Sequence, residues 1–225
     1  MLKHYDEIDK KFGRARLSSW NSIKNAEIRI HPDFIGISRC YREIFKALEH
    51  NSTNVNHAQH LHLWQLKKSS TYYLMYDFHY YFQHQRLPNK NLKIKIRTLP
   101  TTTEDLNALQ EFSSRKFINT LSSHRYKIER IHPTRLQNLI NQFICPTVLY
   151  EINQQSLLKP QYKMGFDMLA KLLGFSRNHL NYRLKMLNQS RNIVLNALEA
   201  ESKVVKRLLD DPNYVVKPED IWSKK

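Results

Sequence analysis

The chain has 225 residues, 41% of them hydrophobic, which suits one large domain or two small ones around a substantial core. With 4 glycines, 8 prolines and 2 cysteines (Cys40 and Cys145) it is neither a collagen-like or low-complexity chain nor a disulfide scaffold. It has no apolar run of about 18 residues, so no transmembrane helix is expected. Its net charge of +16, from 36 Lys and Arg against 20 Asp and Glu, points to a polyanionic partner, nucleic acid before an anionic membrane surface. The opening MLKHYDEIDKKFGR lacks the apolar stretch of a signal peptide, and a reduced, cytoplasmic setting is expected.

Residues 1–23 are polar and of mixed charge and read as a helix or an extended arm. Ile28 and Ile30 alternate with polar neighbours, predicting a short strand that stops at His31-Pro32. Tyr41, Ile44, Phe45 and Leu48 have helical spacing, predicting a helix over 38–49 that ends in the polar cluster His50-Asn51-Ser52. His60 to Leu66 alternates as a strand, and Tyr72 to Met75 forms a second after the polar turn 67–70. Residues 78–87 continue at helical spacing to Pro88-Asn89. Leu92 to Arg97 alternates strictly, placing Lys93, Lys95 and Arg97 on one strand face, read as solvated or touching an acidic partner or DNA backbone. After Pro100, Thr102 or Thr103 caps a helix with Glu104 and Asp105 in its first turn, and only helices follow to about Asp211. The expected class is therefore α+β: an extension (1–23), a mixed α/β domain (24–100), a helical domain (101–190), and a C-terminal helix and tail (191–225).

Residues 166–187, FDMLAKLLGFSRNHLNYRLKML, predict a helix-turn-helix. Ala170 permits close approach of two helices, and Gly174, four residues on, accepts the left-handed conformation of the turn. Leu169, Leu173, Leu180, Leu184 and Leu187 face the junction, Phe175 plugs the turn, and Ser176 caps the second helix. Arg177, Asn178, Asn181, Tyr182 and Lys185 are then left facing outward. Arg suits guanine and Asn suits adenine in a major groove. Ser176 with the helix N-terminus suits a phosphate, and Lys171 and Arg183 suit the backbone. Across 159–191, seven basic side chains face one acid, Asp167.

LAKLLGFSRNHLNYRLKMLN resembles the helix-turn-helix of the ParB family of chromosome and plasmid partition proteins. In that family Leu-Ala, Leu-Gly, Ser-Arg and Leu-x-x-Leu recur at the offsets held here by Leu169-Ala170, Leu173-Gly174, Ser176-Arg177 and Leu184–Leu187. YYLMYDFHYYFQHQRL followed by LKIKIR looks like the strand–helix–strand of the ParB/sulfiredoxin-type domain, and ALQEFSSRKFI looks like its Glu-Asn-x-x-Arg element, with Glu111 and Arg115 matching. The resemblance spans about residues 24–190. Where the family has a Gly-x-x-Arg phosphate turn, this chain has Asp77-Phe78-His79-Tyr80, and the Asn of the second element is Phe112. Asp77, Tyr80, Glu111 and Arg115 thus mark an altered nucleotide pocket, and the family's CTP-driven clamp is expected to be lost.

Among other candidates, the His57, His60 and His62 cluster reads as a solvated strand face rather than a metal site. About half of the seven aromatics in 72–82 are expected in the core. Cys40 reads as a buried helix cysteine rather than a nucleophile. No Gly-rich phosphate loop, zinc-protease helix or nucleophile elbow is present in the sequence. Residues 190–210 predict a helix, with Val194, Leu198, Val205 and Leu208 or Leu209 on one side and Pro212 ending it, that either packs on the domain or pairs two chains. The resulting expectation is a sequence-specific double-stranded DNA-binding protein of a plasmid or other mobile element, nucleoid- or plasmid-associated. It would serve partition, replication control or transcription regulation, without metal or nucleotide cofactor, as a homodimer or with a partner protein on its N-terminal domain. A CTP hydrolase or nuclease on the same scaffold, and an accessory subunit of a larger nucleoprotein complex, are the competing expectations.

Overall fold

A computed structural model describes residues 8–49, 60–67, 69–86, 88, 92–154, 161–199, 206–207 and 210–211. The chain gathers into two compact units, Met1–Arg177 and Asn178–Lys225.

The first unit is built on a five-stranded mixed sheet of order β1-β5-β3-β4-β2, formed by β1 (Arg16–Ser19), β2 (Glu27–Ile30), β3 (His60–Gln65), β4 (Thr71–Leu74) and β5 (Lys93–Thr98). β3 runs parallel to β5, with Leu61 opposite Ile94 and Leu63 opposite Ile96, and antiparallel to β4. β2 lies parallel to β4 at one edge, and β1 lies antiparallel to β5 at the other. The short helices α1 (Trp20–Ile23) and α3 (Phe78–Arg86) and the longer α2 (Ile35–Ala47) are interleaved with the strands. Four helices then follow in succession: α4 (Thr103–Ser123), α5 (Pro133–Phe143), α6 (Pro146–Gln154) and α7 (Phe166–Leu173). The fold is α+β, as the run of strands followed by a run of helices predicts.

α2 carries the core of this unit. Ile37, Tyr41 and Ile44 recur at helical spacing, are buried with Cys40 and Ala47, and lie against α3, α4 and α5. Each such side chain contributes on the order of 2 kcal/mol by leaving water. Tyr41 meets the rings of Phe78 on α3 and Phe117 on α4 at 5.4 and 5.1 Å. Gly36 lets α2 reach α5, because a Cβ there would stand 2.1 Å from the Phe143 ring. α4 starts where the sequence places it, with the Thr102 hydroxyl accepting from the Asp105 amide at 3.2 Å.

Three expectations are corrected. β1 is a strand that the reading of residues 1–23 as helix or arm leaves out; its RLSS is polar, and it forms by pairing with Ile96, Lys95, Ile94 and Lys93, far along the chain. The His60–His62–Trp64 face is not solvated: His62 and Trp64 are buried, because both faces of the central strand β3 are covered. Arg97 is likewise buried, at 4% exposure, while Lys93 stays exposed. Tyr72, Tyr76, Phe78 and Phe82 are the core members of the 72–82 aromatics.

The second unit begins within helix α8 (Arg177–Glu199), which is unbroken through Glu199, so the helices expected at 177–187 and from 190 are one. His57, the cluster at residues 50–52, residues 200–205, Leu208, Leu209 and Pro212 lie outside the described residues.

Candidate nucleic-acid interface

The turn after α7 follows from Gly174. The residue adopts φ 76° and ψ 22°, a conformation that costs a side-chain-bearing residue about 1 kcal/mol. Its N–H donates to Lys171 O at 3.2 Å, and the Phe175 N–H donates to Ala170 O at 2.9 Å. That pair of bonds is a Schellman closure, which satisfies the last carbonyls of α7 and turns the chain sharply. Two residues later α8 begins at Arg177.

The segment leading into α7 is fixed by amide side chains that sequence reading missed. Asn141 of α5 accepts from the Met164 amide at 2.6 Å and donates to its carbonyl at 3.2 Å, and Gln137 donates to the same carbonyl at 2.9 Å. Asn153 of α6, only 2% exposed, donates to Gln161 O and to Lys163 O at 2.5 and 2.9 Å. Their sequence signal is weak: three amides on amphipathic helices look like solvated positions until the loop they hold is known. Met168, Leu169, Ala170 and Leu173 of α7 are buried, and α7 lies against α4.

Every residue expected to face outward on the second helix does so. Arg177, Asn178, Asn181, Tyr182 and Lys185 are exposed, Tyr182 by 66%. At 100° per residue they occupy a stripe about 140° wide. Leu180, at 0% exposure, and the half-buried Leu184 and Leu187 lie on the other side. Ser176 and Lys171 are exposed, and Arg183 is half-buried. Arg177 donates to Asp167 of α7 at 3.2 Å, whereas among the described residues none bonds to the side chains of Asn178, Asn181, Tyr182 or Lys185. The stripe thus offers amide donors and acceptors and positive charge to an outside partner.

The four altered-pocket residues fall into two clusters. Asp77, in the β4–α3 turn, has φ 62° and is buried. Its Oδ2 stands 2.5 Å from His62 Nδ1 and accepts from the His62 amide at 3.1 Å, while Oδ1 accepts from Lys116. Burial alone would raise the Asp77 carboxyl, but the charges and hydrogen bonds of Lys116 and His62 outweigh it and hold the group well below the usual range. Burial lowers His62 below its ordinary value, so the imidazole is neutral at pH 7 and donates Nδ1–H to the carboxylate. Lys116 also lies 5.7 Å from the ring of Tyr80, whose hydroxyl is raised chiefly by burial. Arg115 points elsewhere: it grips both oxygens of Glu151 on α6 and donates to Glu111 at 2.7 Å. His62, Lys116 and Glu151 are partners the sequence did not disclose, because each is distant along the chain.

Burial pushes the Cys40 thiol up to about 12, so it is a protonated core group at neutral pH. Among the described residues no three His, Cys, Asp or Glu side chains are grouped to hold a metal, and no helix is long and apolar enough to cross a membrane. No protein-family model matches the chain, and no curated protein or solved structure is significantly similar to it.

Proposed function

We propose that this chain is a sequence-specific double-stranded DNA-binding protein whose helix-turn-helix, residues 166–187, reads the major groove. The observation that carries the reading is the exposed stripe Arg177, Asn178, Asn181, Tyr182 and Lys185 on a helix that starts two residues after a Schellman turn. Arg and Asn on consecutive turns supply the bidentate chemistry that distinguishes guanine and adenine. Ser176 and the first turn of α8 suit a phosphate, and Lys171 adds a backbone contact, whereas Arg183 is half-buried on the side of α8 opposite the stripe.

The likeness of Leu169 to Asn188 to the ParB helix-turn-helix supports a role in partition, replication control or transcription on a plasmid or other mobile element. The engagement of Asp77 by Lys116 and of Arg115 by Glu111 and Glu151 supports a protein without a CTP switch, since each charge is already matched within the fold. The test is binding to a selected duplex and to a random one. Arg177→Ala or Asn181→Ala should cost about 1–3 kcal/mol on the selected site and relax preference at one base pair. Lys171→Ala should weaken both duplexes alike and reduce the salt slope by about one unit. Equal losses on both duplexes from Arg177→Ala and Asn181→Ala would rule out base readout.

A further inference from the structure

A cleft of about 320 Å³ opens at the end of the sheet where β1 begins and β3 and β5 finish, and Phe12, Arg14, Arg16, Lys67, Arg97 and Thr98 are among the residues around it. Four of its lining side chains are cationic and none is acidic. They divide by role. Arg97 is fixed: it is 4% exposed, it is paired with Asp9, and it donates toward Gly13 O and the Tyr76 hydroxyl at 3.4 Å. Arg14, Arg16 and Lys67 are exposed on the rim, and among the described residues none of the three side chains has an ion-pair or hydrogen-bonding partner. Like charges repel one another, so a rim of three exposed cations around one opening attracts an anion that neutralises it.

We propose that this cleft is a phosphate-binding site that grips the sugar-phosphate backbone of nucleic acid, separate from the helix α8. The proposal rests on the reading that the chain binds nucleic acid, but it requires no sequence preference. A backbone fits better than a small enclosed ligand because the free cations are on the rim rather than in the floor. The lining is also charged where small-molecule pockets are mostly apolar. Arginine pairs with phosphate through its planar fork, and two of the three rim cations are arginines.

The test uses the full chain and a fluorescent duplex of random sequence, with affinity measured from 50 to 200 mM salt. The variant Arg14→Ala/Arg16→Ala/Lys67→Ala should flatten the log–log salt slope by about 2 to 3 units, near 0.9 per lost phosphate contact. A control that removes three exposed cations elsewhere, Lys24→Ala/Lys127→Ala/Arg130→Ala, should change it by less than one. All substituted side chains are exposed, so circular dichroism should show both variants folded; the single reversal Arg14→Glu, which should also flatten the slope, serves if the triple variant is not. Equal flattening by cleft and control variants would mean diffuse charge and overturn the site. So would a cleft variant that loses binding of inorganic tripolyphosphate but keeps its duplex slope, which would make free phosphates the ligand. A wild type that binds selected and random duplexes equally would defeat the helix reading alone, because the cleft is judged on the random duplex.

Discussion

Arg177 and Asp167 form an ion pair, with Nη1 3.2 Å from Oδ2, that joins the first residue of α8 to the first turn of α7. Both side chains are more than half exposed, so the pair is worth less than about 1 kcal/mol. A bidentate contact to guanine, at about 1–3 kcal/mol, outcompetes it. Asp167 therefore sets the resting position of Arg177, and on the proposed DNA-binding reading it would oppose the duplex slightly, both by holding the guanidinium and by its own charge. Asp167→Asn should tighten duplex binding by about 2–5-fold in a fluorescence anisotropy titration. Unchanged or weaker binding would mean that Arg177 does not approach the duplex.

The turn between these helices depends on backbone conformation and not on space. Nothing lies within 4 Å of a Cβ built on Gly174, yet its φ is +76°. Gly174→Ala should cost about 1 kcal/mol in chemical denaturation, and Gly174→Asn should cost less, because Asn tolerates the left-handed region. Equal losses for the two would point to a steric rather than a conformational cause.

Much of the turn was legible in the sequence because its determinants are local. Gly174, the leucine spacing and the outward Arg and Asn residues lie within 22 residues, and the period of one helix sorts them. Most strands and helices of the first unit were legible for the same reason, as at Ile94 and Ile96 or Tyr41 and Ile44. What escaped was non-local. β1 is strand only because β5 pairs with it. His62 and Arg97 sit at positions whose alternation suggests a wet face, yet they are buried among partners, Asp77 and Asp9, that no short window contains. Asp77 shows the same limit: the sequence places an acid in the turn, but only the fold supplies Lys116 and His62 to hold it.

That buried network makes stability depend on pH. Burial lowers His62, and lowers His79 to about 4 with help from His124 and Lys116. The unfolded chain protonates both near 6.5, so it binds more protons than the fold below that value. Their stabilisation is complete above about pH 6.5 and is lost as the pH falls through the folded values. Asp77, held low, adds a loss that begins below about pH 4. The melting temperature should fall continuously from pH 7 downward, and His79→Gln should flatten the decline between pH 6.5 and 4. A flat profile over that interval in the wild type would contradict the burial assigned to these imidazoles.

Asp77→Asn should cost about 3 kcal/mol at pH 7, since it leaves the Lys116 ammonium opposite a neutral amide in a buried site. Urea denaturation measures this directly. A loss below about 1 kcal/mol would mean that water, rather than Asp77, satisfies Lys116.

Arg115 links α4 to α6 by gripping both carboxylate oxygens of Glu151. Lysine carries the charge but not the fork, so Arg115→Lys should lose nearly as much stability as Arg115→Ala, about 1 kcal/mol at this partial exposure. Full retention by the lysine variant would show that charge alone suffices.

Sequence reading by α8, as proposed, is tested most directly by a selection from a random duplex pool with the purified full chain at about 100 mM salt and no added nucleotide. A defined motif should be enriched, with one position whose preference relaxes in Asn181→Ala. Recovery of duplexes without any enriched motif would contradict it.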